Sequence, residues 1–180
     1  DELNKEIKKL ISNTTNLEKD SWPTQKDNLR VQLTLAMEGI FLDSDIYGSS
    51  IIVKLLNQIF AINGIPNNEV KEAYKKIVVD SYTAIISLPK SEDQHIHSDG
   101  SGLFGSPIDK LLPTHALILG IPLVDLNEIN GTTEIWLGSH MKDINPENCH
   151  KPYLKKGDCY LMDYRLFHRG MANNSKQKRA

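Results

Sequence analysis

The sequence predicts an α+β chain that is mainly β, with helices confined to its first 80 residues. Three observations carry that expectation. Apolar residues recur at helical spacing in the first half. From Tyr82 onward, runs rich in aliphatic, aromatic and β-branched residues replace them, and glycine, proline and asparagine punctuate both regions. With no internal repeat, low-complexity tract or convincing linker, residues 1–180 are expected to form one domain, mostly helical over 1–80 and a strand-built core over 81–180.

Leu3, Ile7, Leu10 and Ile11 share one helical face, with Lys5, Lys8 and Lys9 on others, so residues 1–13 read as an amphipathic outer helix. Trp22-Pro23-Thr24 separates it from the body. Two further helices are expected over 51–62 and 68–79, divided by Asn63-Gly64-Ile65-Pro66-Asn67, whose glycine and proline end the first. Strands are expected over 82–88, 115–126, 132–137 and 159–171.

At 180 residues the chain is long enough to bury a substantial core, and 39% hydrophobic content with a net charge of −2 describes a globular protein without bulk attraction to nucleic acid or anionic membrane. No apolar run approaches the ~20 residues that span a bilayer, and the polar start Asp1-Glu2-Leu3-Asn4-Lys5 is unlike a signal peptide. A cytoplasmic location is therefore expected. Cys149 and Cys159 are too few for a disulfide scaffold, which agrees with a reducing interior. Cys149, His150, Cys159 and His168 lack the Cys-x-x-Cys spacing of a zinc cluster.

The chemistry concentrates in Gln94-His95-Ile96-His97-Ser98-Asp99-Gly100 and in a His168-Arg169-Gly170 that follows His97 by 71 residues. On an extended segment, residues i and i+2 face the same way, so His97 and Asp99 can both turn inward. His95 shares that face and offers a rival pair with His97. The pair His97 and Asp99 is preferred because Gly100 lets the chain turn away after the aspartate. Two imidazoles and a carboxylate suit Fe(II) and leave positions open for a co-substrate and dioxygen.

Arg179 lies eleven residues after His168, beyond the turn formers Asn173-Asn174-Ser175. Its guanidinium is a planar, permanently charged fork that pairs bidentately with carboxylates. On a returning strand it could bind the far carboxylate of 2-oxoglutarate. The bland alternative is a solvated basic tail, Lys176-Gln177-Lys178-Arg179.

At these residues the chain resembles the phytanoyl-CoA dioxygenase family of Fe(II)/2-oxoglutarate oxygenases. The resemblance rests on Gln94-x-x-His97-x-Asp99, on Asn130-Gly131-Thr132-Thr133-Glu134-Ile135-Trp136-Leu137-Gly138-Ser139-His140, and on Gly157-Asp158 leading to His168-Arg169-Gly170 and Arg179, in the family's order from about residue 80 to the end. It implies a double-stranded β-helix, a cupin-like jelly roll with the N-terminal helices packed outside. It also implies Fe(II) on His97, Asp99 and His168, with 2-oxoglutarate and O2 as co-substrates. Oxidation of a C–H bond of a small-molecule substrate would then release succinate and carbon dioxide. Because Asp99 occupies the position that is small in related halogenases, hydroxylation or another C–H oxidation is favoured over halogenation.

Two departures matter. Leu137 stands where the family often has proline, which alters a turn. Gly170 stands where some members carry a serine that binds 2-oxoglutarate, so Thr133 is the expected substitute; its alternative is an ordinary strand residue. Gln94 is expected to touch the co-substrate or the substrate, or to support the residues that do. Phe104, in the loop 101–107, and Trp136 are candidate substrate contacts, with core packing the alternative for Trp136. A cupin-like metal-binding protein or isomerase that uses no 2-oxoglutarate is the competing reading, and Arg179 is the residue that discriminates. Because the chain stops one residue after Arg179, its strand is expected to continue in the natural protein.

Overall fold

The computed structural model describes residues 29–35, 54–56, 58–59, 79–100, 102–105 and 107–180. The helix expected over 1–13, the Trp22-Pro23-Thr24 break, and the helix expected over 68–79 except its last residue, Val79, which is not helical, lie outside these residues. The chain divides into two compact units, Asp1–Ser12 with Leu33–Ala84, and Asn13–Gln32 with Ile85–Ala180. In the first, residues 54–56 and 58–59 are helical, within the helix expected over 51–62. No helix among the described residues is long and apolar enough to cross a membrane.

The strands are β1 (Arg30–Leu35), β2 (Tyr82–Ser87), β3 (Leu117–Gly120), β4 (Thr133–Trp136), β5 (Cys149–His150), β6 (Tyr160–Asp163) and β7 (His168–Gly170). They form three small sheets: β1 with β2, β3 with β6, and β5-β4-β7. Pairing within the last two sheets is antiparallel. Single bridges extend the ladders, Ser87 to Arg179 and His97 to His168. Leu123 N–H donates to Ala180 O at 3.0 Å, a further link beyond the regular strands. The result is a mainly β chain of antiparallel sheets.

Two expected strands are corrected. The run 159–171 is broken after Asp163, because the Asp163 carboxylate accepts from Arg165 N at 2.9 Å and Leu166 N closes back on Asp163 O at 2.9 Å. A side chain that bonds its own following backbone makes a turn, and the apolar pattern on either side hid it. The run 115–126 is strand only over Leu117–Gly120, ahead of Pro122, which has no N–H to give a ladder. In the segment 94–100, expected to be extended, only His97 makes a β-bridge, and Asp99 and Gly100 lie in a bend.

Alternation on β4 organises the second unit. Thr133 and Ile135 share one face, and their register partners Gly170 and His168 stand on it too. Ile135 packs with Met162 and Leu166, and Ile118 and Tyr160 cover that cluster. Truncating a buried isoleucine to alanine typically costs about 2–5 kcal/mol, and here the loss would fall directly opposite His168. Glu134 and Trp136 take the other face, where Glu134 pairs with Arg169 and the Arg169 guanidinium lies 5.8 Å from the Trp136 ring centre.

Candidate metal centre

His97 and His168 belong to segments far apart in sequence that exchange both backbone hydrogen bonds, His97 N to His168 O at 3.0 Å and His168 N to His97 O at 2.8 Å. Opposed residues of such a pair carry their side chains on one face, so the two rings meet, 4.6 Å between centres and tilted by 51°. Asp99 reaches the same point because its N–H is held by Tyr164 O at 3.2 Å. Its Oδ1 lies 3.6 Å from His97 Nε2 and its Oδ2 3.5 Å from His168 Nε2. Two ligands bound at about 2 Å each can be at most about 4 Å apart on one ion, and both separations satisfy that ceiling. His97, Asp99 and His168 are a group that could hold a metal ion.

The imidazoles are already turned for that task. His97 Nδ1 lies 2.8 Å from His95 O, and His168 Nδ1 lies 2.8 Å from Leu166 O, each the carbonyl two residues back. A carbonyl only accepts, so each Nδ1 carries the proton and each Nε2 presents its lone pair toward Asp99. His168 is buried, and Asp99, at 42% side-chain exposure, is the open side of the group. The rival ligand His95 is exposed and tilts against the His97 ring at 5.0 Å, outside the group.

Arg179 is buried, and the turn that returns it is built by Asn173. Asn173 Nδ2 donates to Ser87 O and Gln177 O, and its Oδ1 accepts from Ser175 N and Oγ. Arg179 then exchanges backbone bonds with Ser87 at 2.8 and 2.9 Å. Its guanidinium donates to neutral oxygens, Asn130 O, Ser87 Oγ and Met171 O, the last two at 2.9 Å. Burial, and then the nearby Arg30, push its pKa down to about 10. Arg30 donates to Ser87 Oγ as well, so two cations converge on one buried hydroxyl. The solvated-tail reading of Arg179 is excluded by this burial.

The remaining candidates divide. Gln94 Oε1 accepts from Gly170 N at 2.7 Å and thereby braces β7 beside His168. Thr133 stands opposite Gly170, with its hydroxyl 3.3 Å from Tyr160 Oη. Trp136 is buried on the opposite face of β4 from Thr133. Phe104 is 69% exposed, and its N–H is held by the Asp109 carboxylate at 3.0 Å. Sequence reasoning missed Ser87, Arg30 and Ser139. Ser139 Oγ donates to Trp136 O at 2.6 Å and accepts from Phe167 N at 2.9 Å, tying the turn after β4 to the residue before His168. His140, which follows it, has a buried Nδ1 that makes no hydrogen bond and a pKa that burial lowers.

A model of the phytanoyl-CoA dioxygenase family matches residues 24–180. Among solved structures, the chain is similar to EctD from S. alaskensis in its apoform, with 16% identity, a TM-score of 0.58, and coverage of 98% of this chain and 64% of that one. It is similar to the non-heme alpha-ketoglutarate-dependent epimerase SnoN from nogalamycin biosynthesis, with 17% identity, a TM-score of 0.56, and coverage of 97% and 65%. HygX from Streptomyces hygroscopicus, solved with nickel and 2-oxoglutarate bound, gives 12% identity, a TM-score of 0.52, and coverage of 98% and 75%. The chain thus spans less than two thirds of the length of EctD and SnoN. These likenesses show a shared fold.

Proposed function

The chain belongs to the phytanoyl-CoA dioxygenase family, and on that premise we propose that it is an Fe(II)- and 2-oxoglutarate-dependent dioxygenase. It hydroxylates or otherwise oxidises a C–H bond of a small molecule. The observation that carries this reading is the convergence of His97, Asp99 and His168 with both Nε2 atoms facing the carboxylate. For hydroxylation, one 2-oxoglutarate, one O2 and one C–H bond give succinate, carbon dioxide and an alcohol.

His97, Asp99 and His168 hold the iron, which when bound supplies the oxidative chemistry. The protein's own work is positional. Hydrogen bonds to the His95 and Leu166 carbonyls hold the two imidazoles in the tautomer that binds metal. Arg179 supplies a buried positive charge whose acceptors here are neutral oxygens, which suits the distal carboxylate of 2-oxoglutarate. Thr133 offers the hydroxyl that Gly170 lacks, and Gln94 keeps β7 in place. Asp99, exposed on one side, leaves the centre open toward substrate.

The bridges Ser87 to Arg179 and His97 to His168 support reading the strands as a double-stranded β-helix. The loop 102–105, which follows the metal segment in sequence and exposes Leu103 at 58% and Phe104 at 69%, is the proposed contact with a small-molecule substrate. The test is anaerobic titration of the Fe(II)-loaded protein with 2-oxoglutarate, followed by succinate release across a panel of candidate substrates. Saturable binding that requires Fe(II) is expected. A chain that binds Fe(II) but no 2-oxoglutarate would be a metal cupin of another kind.

A further inference from the structure

Tyr160 carries a polar group that the oxygenase reading leaves unused. It lies on β6, opposite Gly120 of β3. Its ring covers the core of Ile135, Met162 and Leu166, and its hydroxyl crosses to β4, where it meets Thr133 Oγ1 at 3.3 Å. Gly120 is what makes this seat possible, because a Cβ there would run into the Tyr160 ring and hydroxyl. Thr133 is opposite Gly170, and Gly170 is two residues along the same strand face from His168. The phenol therefore stands about 7 Å along the strand direction from the metal ligand, at about 3.4 Å per residue.

That is the level at which the far end of a short dicarboxylate would lie if its other end were at the metal. The phenol is within electrostatic reach of both Asp99 and Arg179. Burial above all raises its pKa, so it remains a neutral O–H donor. Residue 170 has no side chain to supply a hydroxyl, and the ends of the Gln94 and Arg30 side chains crowd it, 2.6 and 2.7 Å from where a Cβ would stand. The hydroxyl that some relatives draw from that strand has to come from elsewhere in this chain.

We propose that Tyr160 donates a hydrogen bond from its hydroxyl to the distal carboxylate of 2-oxoglutarate, beside Arg179 and Thr133. The inference rests on the oxygenase reading above and adds a residue to it. Hydrogen bonds to charged groups are the stronger kind, and losing one weakens binding by about tenfold or more.

The experiment is anaerobic calorimetric titration of Fe(II)-loaded wild type and Tyr160→Phe with two ligands, 2-oxoglutarate and 2-oxopentanoate, which has the same chain length but no distal carboxylate. Phenylalanine keeps the ring that packs on the core, and an unchanged thermal unfolding midpoint verifies it. The substitution should weaken 2-oxoglutarate about tenfold and leave 2-oxopentanoate and Fe(II) binding unchanged. Equal affinities of the two proteins for 2-oxoglutarate, or an equal loss for both ligands, would overturn the inference while leaving the oxygenase reading intact. Failure of the wild type to bind 2-oxoglutarate would overturn that reading and the role of Tyr160 with it.

Discussion

His97 and His168 are joined twice, through a reciprocal pair of backbone hydrogen bonds and through rings whose centres lie 4.6 Å apart. The metal-binding geometry is therefore part of the β-ladder itself, and neither histidine can move without breaking a backbone pair.

His97→Ala should abolish high-affinity Fe(II) binding while leaving the fold intact, because the side chain is lost and the backbone pair is kept. His95→Ala should bind Fe(II) as the wild type does, since His95 lies outside the converging group. Titration with Fe(II), or with Ni(II) as an air-stable probe, checks both. Loss of binding in His95→Ala with retention in His97→Ala would transfer the site to the rival ligand.

Arg179→Ala should weaken 2-oxoglutarate by well over tenfold, consistent with about 2–5 kcal/mol for a buried, hydrogen-bonded charge pair. Fe(II) affinity should change little. Arg179→Lys should recover only part of the loss, because an ammonium restores charge but not the planar fork. Anaerobic calorimetry measures all three proteins, and equal affinities for wild type and Arg179→Ala would refute the assignment.

Gly131→Ala tests the support of Arg179 from the other side. Gly131 has φ +76°, and a Cβ there would collide with Ala172 O and with Arg179 Nη1. The left-handed backbone alone costs a non-glycine residue about 1–2 kcal/mol. A lower thermal midpoint and weaker 2-oxoglutarate binding should appear together. An alanine variant as stable as the wild type would contradict the packing described.

Asp163 and Arg165 form a buried ion pair with Nη2 to Oδ2 at 2.7 Å. Burial pushes the Asp163 pKa up, but hydrogen bonds from Arg165 and Thr114 outweigh it and leave the value below the ordinary carboxylate range. A carboxyl group with a depressed folded-state pKa adds stability above its unfolded value, about pH 3.9, and that stability is lost as pH falls through the folded value. Arg165→Met should destabilise by about 3–5 kcal/mol near neutral pH by leaving a buried charge unpaired. The penalty should shrink below about pH 4, as Asp163 becomes protonated. Thermal melts from pH 3 to 7 provide the measurement, and a penalty that grows toward acid would invert the sign.

The sequence by itself determined which atoms could do the chemistry. His97, Asp99, His168 and Arg179 were legible because each carries a group with few structural uses, and because the two-residue period of an extended chain places His97 and Asp99 on one face. The β character of the second half was legible for the same reason of periodicity. What the tertiary structure alone decided lies in pairings that no local pattern encodes. Ser87 receives Arg179 from 92 residues away, Gln94 braces Gly170 from 76, and Tyr160 meets Thr133 across two sheets. The strand break at Asp163 also escaped, since a side chain that bonds its own backbone ends a strand without disturbing the apolar pattern around it. Periodicity reports which face a residue takes, whereas the identity of the facing residue depends on long-range register, which is set only when the sheets pair.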